Sequence, residues 1–215
     1  MEDYMITSNS NWTLTFHGKT FAVDRTTCIS RSLVLHEMSE KKVSHISEDD
    51  DPTKTTVDDM KCLLQWLHSD AWTRLTSIKE AILVARFATS WRSQFFQNKC
   101  TDYVMSRLSM SRKDHNSSCL FHLLCVADLA GLNDLQWQIL PLCKDAIVQR
   151  QQLHSAAIEQ NITPWIQYLK LSTLQALTLQ PADRPDDKEI GVLIGVSGTL
   201  AVCAVVAYVV QRWLL

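Results

Sequence analysis

Residues 190–210 form a run of 21 residues without one charged side chain. As a helix that run spans roughly 31 Å, the thickness of a bilayer core. Such a run is either the buried helix of a large core or a membrane span. Its length, its lack of charge and the Tyr208, Arg212 and Trp213 at its far end read as a span. Only five residues follow Val210, so the segment would leave the ribosome after the chain has terminated. It is therefore expected to insert post-translationally, with residues 1–188 in the cytosol and 211–215 across the membrane. Arg184 and Lys188 before the span against Arg212 after it agree with that orientation, and the single far-side base favours the endoplasmic reticulum over the mitochondrial outer membrane. Gly191, Gly195 and Gly198 would let two such helices pack closely, although small residues are also simply common in spans.

Those three glycines are most of the five the chain has, which leaves Gly18 and Gly131 for everything else. Glycine-rich phosphate loops, dinucleotide fingerprints and turn-rich propellers are excluded by that count. A net charge of −2 argues against a nucleic-acid binder led by electrostatics, and 46% hydrophobic residues are too many for a disordered chain. Seven cysteines, an odd number with no CxxC, read as reduced thiols and not as a disulfide framework. The acidic start Met1-Glu2-Asp3-Tyr4 is followed by no secretory h-region.

Along the chain, residues 12–23 alternate in the manner of strands about His17-Gly18-Lys19, which predicts a hairpin turning at Gly18. Asp24 is a helix start, and Leu33, Val34, Leu35 and Met38 give an apolar helical face running to about Met38. Residues 43–46 read as a short strand, and Glu48-Asp49-Asp50-Asp51-Pro52 as a solvated acidic loop without the spacing of a calcium site. Helices are expected from residue 56 to about 67, over 77–91 and over 95–108. A polar linker follows at 109–118, then helices over 119–130, 134–151, 152–160 and 164–178 and a proline-containing linker at 181–189. The fold class is therefore α+β: a small sheet from 12–23 and about 43–47 packed on helices, an all-helical extension, and one transmembrane helix. Leu14, Phe16, Phe21, Leu64, Leu67, Leu83 and Phe87 are the expected core.

Chemistry-bearing clusters are few. His115, Cys119, His122 and Cys125 are spaced four, three and three, but three consecutive helical turns do not converge four ligands on one ion, so core packing is the better reading. No nucleophile elbow or other catalytic frame surrounds the serines, histidines and aspartates, so neither an enzyme nor a cofactor is expected.

The segment Trp12-Thr13-Leu14-Thr15-Phe16-His17-Gly18-Lys19-Thr20-Phe21-Ala22-Val23-Asp24-Arg25 resembles the opening of a BTB/POZ domain, in which a strand hairpin leads into a helix with an Arg-Ser pair, here Arg31-Ser32. Leu63-Leu64-Gln65-Trp66-Leu67-His68 is similar to that family's next helix, and residues 81–108, with Ala85, Phe87, Cys100 and Tyr103, to its closing helical hairpin. Val126-Ala127-Asp128-Leu129-Ala130-Gly131-Leu132 resembles the helical BACK or three-box extension that follows many such domains. The resemblance divides the chain into a BTB/POZ-like domain at 11–108, a linker at 109–118, a BACK-like extension at 119–180, a linker at 181–189 and the span at 190–210. Asp24 stands where the family has histidine, and the stretch from Ser32 to Val43 is shorter than usual.

The resemblance implies a protein-binding module without chemistry of its own, here membrane-anchored, in the role of an adaptor for a cullin-type ubiquitin ligase. Met38-Ser39-Glu40 has the hydrophobic-x-acidic form of the family's cullin contact, which makes Met38 and Glu40 the expected partner-binding residues. Homo-oligomers are open to such a module; nucleic acid is not expected as a partner. Two alternatives stand beside it. One is a scaffold without ligase partners. The other is a tail-anchored apoptosis regulator of the B-cell-lymphoma type, whose motifs Ala71-Trp72-Thr73-Arg74-Leu75 and Pro164-Trp165-Ile166-Gln167 resemble faintly.

Overall fold

The structure is a computed structural model and describes residues 3–46, 55–70, 72–114, 117–151 and 169–178. It is α+β, with a three-stranded sheet and eight helices among the described residues. Strands β2 (Trp12–Phe16) and β3 (Lys19–Val23) form the expected hairpin. Its two-residue turn places both His17 (φ 47) and Gly18 (φ 71) in the left-handed region. That is the geometry of a type I′ turn, whose twist matches that of the strands it joins. The alternation sends Leu14, Phe16, Phe21 and Val23 inward, fully buried, with Leu14 directly opposite Phe21. The third strand, β1 (Asp3–Met5), pairs parallel with β3, so the sheet order is β1-β3-β2. Tyr4 stacks on Phe21 at 5.2 Å.

The expected third strand at 43–47 is thus replaced by an N-terminal one. Among the described residues, the far edge of β2 is paired at Thr15: its N–H donates to Ser44 O (2.7 Å) and its carbonyl accepts from Ile46 N (2.9 Å), a parallel bridge to His45.

Asp24 caps α1 (Arg25–Arg31), its carboxylate accepting from the N–H of Thr26 and Thr27. The expected continuous helix to Met38 is in fact two, because Ser32 is extended (φ −145, ψ 123) and α2 (Leu33–Glu40) starts afresh behind it. Helices α3 (Val57–His68) and α4 (Ile78–Ser90) each open with a capping box, Thr56 with Asp59 and Ser77 with Glu80. Helix α5 (Gln94–Asp114) runs on through most of the stretch expected to be a linker, since 109–114 contain neither glycine nor proline to stop it. Helices α6 (Ser117–Leu129) and α7 (Asn133–Gln151) are joined by a turn in which Gly131 takes φ 70. Helix α8 (Leu171–Thr178) is shorter than the 164–178 expected, since Leu169 and Lys170 are not helical. The helix expected at 152–160, the linker at 181–189, the span at 190–210 and its Gly191, Gly195 and Gly198 lie outside the described residues. No described helix is long and apolar enough to cross a membrane.

The chain divides into two compact units, one of Met1–Arg107 with Leu129–Asn133, the other of Leu108–Asp128 with Asp134–Leu215. In the first, Leu14, Phe16, Phe21, Leu64, Leu67 and Phe87 are buried as expected, each contributing about 1.5–3 kcal/mol. Leu83 is half-buried, because α4 turns Ala81, Ile82, Val84, Ala85, Phe87 and Ala88 inward and leaves Leu83 on the flank. Phe87 meets Trp91 edge to face at 5.0 Å. In the second unit, buried Asp128 accepts from Lys170 N (2.6 Å) and Gln136 Nε2 (3.3 Å), and Gln136 also donates to Thr173 Oγ1 (2.6 Å). Those bonds fasten the start of α8.

Candidate functional site

Helix α2, which carries Met38 and Glu40, is fixed at both ends. At its start Ser32 Oγ accepts from Leu35 N (3.2 Å) and donates to Trp91 O (3.0 Å). The preceding Arg31 donates through Nη1 to Leu67 O (2.6 Å) and Ser69 O (2.5 Å), the carbonyls left open by the end of α3, and its guanidinium lies 4.1 Å from the Phe95 ring centre. Ser93 Oγ donates to Arg31 O (2.5 Å) and accepts from Phe96 N (3.2 Å). The Arg31-Ser32 pair therefore holds the ends of α2, α3 and α4 to one another.

The end of α2 is a Schellman motif: Val43 N donates to Met38 O (2.9 Å) and Lys42 N to Ser39 O (3.3 Å), with Lys42 in the left-handed conformation at φ 57. The end of α4 repeats it, with Ser93 N donating to Ala88 O (2.9 Å), Arg92 N to Thr89 O (3.1 Å), and Arg92 at φ 46. In that posture Arg92 reaches Glu37 Oε1 at 2.6 Å. Arg25 Nε donates to the buried Ser39 Oγ at 2.6 Å.

A helix so clamped presents a fixed surface. Leu33 and Val43 are exposed large apolar residues, Glu40 is exposed, and Met38 is half-buried. The structure does not bring Met38 and Glu40 to one face. Two helical positions apart is about 200° of rotation, and the residue between them, Ser39, is the one that faces inward. Met38 lies on the flank of Val34, and Glu40 on that of His36, whose Nδ1 is 3.9 Å from Glu40 Oε2. Glu37 is already paired with Arg92, so Glu40 is the carboxylate of α2 most open to a partner.

The remaining candidate clusters lie partly or wholly outside the described residues. Cys119 Sγ lies 3.9 Å from Nε2 of buried His122, Cys125 is buried, and His115 is outside the described residues. Among the described residues no three His, Cys, Asp or Glu are grouped to hold a metal. Burial pushes the thiols of Cys28 and Cys100 up to about 12, with Asp24 adding to the effect at Cys28, and raises those of Cys125 and Cys143 as well. Thiols held protonated in this way serve as small core residues. The acidic loop at 48–51 lies outside the described residues.

Trp72, noted in sequence only within the faint Ala71-Trp72-Thr73-Arg74-Leu75 motif, was not expected as a surface site. It sits in the loop between α3 and α4, is 92% exposed, and lies outside any helix. Its only sequence signal is a tryptophan set among Asp70, Thr73 and Arg74 in a short inter-helix segment. In comparison with known proteins, the chain matches no family model, no curated protein and no solved structure.

Proposed function

We propose that this chain is a protein-interaction module of BTB/POZ-like design, held at the cytosolic face of a membrane by residues 190–210, with α2 as its contact helix. The observation that carries the reading is the clamping of α2 at both ends while Leu33, Glu40 and Val43 remain exposed. A surface fixed before a partner arrives loses little entropy on binding. Within this reading the partner is a cullin, met by Met38 and Glu40, which makes the chain an adaptor for a cullin-type ubiquitin ligase. Because the two residues occupy different flanks, such a partner would have to wrap α2 and not lie along one face. The strand hairpin with its parallel β1 counts against the all-helical apoptosis-regulator alternative.

The test is binding of purified cullin to the full-length chain in detergent micelles. Micromolar binding is expected, and Glu40→Ala combined with Met38→Ala should abolish it while the thermal midpoint of the chain moves little. Absence of binding by the wild type at that concentration would favour the scaffold reading.

A further inference from the structure

Trp72 is exposed on a loop that is itself firmly held. Lys99, only 4% exposed, donates through Nζ to Asp70 O (3.0 Å) and Thr73 O (2.7 Å), on either side of the tryptophan. The same ammonium lies 4.8 Å from the Phe95 ring centre and 5.3 Å from that of Trp66. Thr73 N closes the turn onto Asp70 O (3.1 Å), and Arg107 Nη2 donates to Thr76 O (2.8 Å). Arg74, next after this turn in sequence, and Lys79, in the first turn of α4, are exposed, and neither pairs with a described carboxylate. The nearby Glu80 carboxylate is occupied by the N–H groups of Thr76 and Ser77 and by Thr76 Oγ1. The segment thus offers an exposed indole with two exposed cations close to it in sequence, Arg74 in the same loop and Lys79 in the first turn of α4, whose charge the described structure does not use.

We propose that the Trp72 loop, with Arg74 and Lys79, docks on the anionic headgroups of the membrane in which the chain itself is anchored. The proposal rests on the anchor reading of residues 190–210. Tryptophan favours the boundary between headgroup and acyl chain, and Arg and Lys favour the negative surface of an anionic leaflet. One indole and two cations are a weak membrane signal for a free protein, but a tether changes the arithmetic. Eleven residues, 179–189, separate α8 from the charge-free run, and such a segment reaches at most ~40 Å. A membrane tethered to the same chain is at raised effective concentration, so contacts too weak to recruit a protein suffice to orient one. A protein pocket with an acidic rim is the competing occupant; the anchored membrane is favoured because the chain itself would carry it to the loop.

The test uses the full-length chain reconstituted in phosphatidylcholine vesicles with or without phosphatidylserine, containing lipids brominated near the headgroup. The emission of Trp72 is isolated as wild type minus Trp72→Phe. Quenching of that difference signal is expected in phosphatidylserine vesicles, with reversal at high salt. Arg74→Gln combined with Lys79→Gln should lower the ratio of docked to free loop about thirty-fold. A chain that resists alkaline carbonate extraction while Trp72 stays unquenched overturns the proposal alone. Release of the chain by carbonate overturns the anchor and the proposal with it. An unquenched Trp72 whose substitution by alanine abolishes a protein contact gives the loop to a protein and also overturns the proposal.

Discussion

Two lysines show how single side chains shape the first unit. Lys42 is exposed and holds a left-handed conformation at φ 57 that helix ends usually give to glycine. An L residue pays about 1–2 kcal/mol for that conformation, part of which a glycine returns through the entropy of the unfolded chain. Lys42→Gly is therefore expected to stabilise the unit by about 0.5–1 kcal/mol, read as a rise in the urea midpoint at unchanged slope. Lys99 is the opposite case. Its ammonium is buried, and burial followed by the nearby Arg31 holds its pKa below the usual lysine value, yet it ties down the carbonyls of Asp70 and Thr73. Lys99→Met keeps most of the volume and removes the donor, leaving two carbonyls to find other partners. A loss of about 1–3 kcal/mol is expected from denaturant unfolding.

At the scale of elements, helix starts carry the acid sensitivity. Burial raises the pKa of Glu80, but the hydrogen bonds from Ser77 and Thr76 outweigh it, and the net shift is downward from 4.5. Asp24 is likewise lowered, chiefly by the hydroxyl and N–H of Thr27. A carboxylate whose folded pKa lies below its unfolded value stabilises the fold above the unfolded value and loses that contribution as pH falls through the folded one. Glu80→Gln should therefore lower stability at neutral pH, and the gap between variant and wild type should close below the unfolded value of 4.5, as urea midpoints across that range would show. The start at Asp24 was legible in the sequence because such signals are local, and the hairpin announced itself by alternation about Gly18; the Ser77–Glu80 box, though equally local, was legible only as a helix beginning near 77. The break at Ser32 was not legible. The apolar spacing runs straight across it, and what stops the helix is a hydroxyl bonded to Trp91 O, 59 residues away. Strand β1 is three residues long, too short for any alternation to register, and it exists because β3 offers it an edge. The candidate site was half legible. The Met38-Ser39-Glu40 triplet was visible, and helical periodicity alone parts its outer two residues, but the hydrogen bond that Arg25 gives the inward-facing Ser39 joins residues no local pattern connects.

At the scale of the whole molecule, the side of the membrane on which the folded units stand decides whether a cytosolic partner can reach α2 and whether the Trp72 loop meets an anionic leaflet. The proposed anchor at residues 190–210 would leave the folded units on the cytosolic side. The most direct measurement is protease accessibility in cells whose plasma membrane alone has been opened, with a tag at each end of the chain. Digestion of the N-terminal tag with protection of the C-terminal one is expected, and a glycosylation site in the protected tag should be modified if the membrane is the endoplasmic reticulum. Digestion of both tags together would contradict a membrane-anchored module.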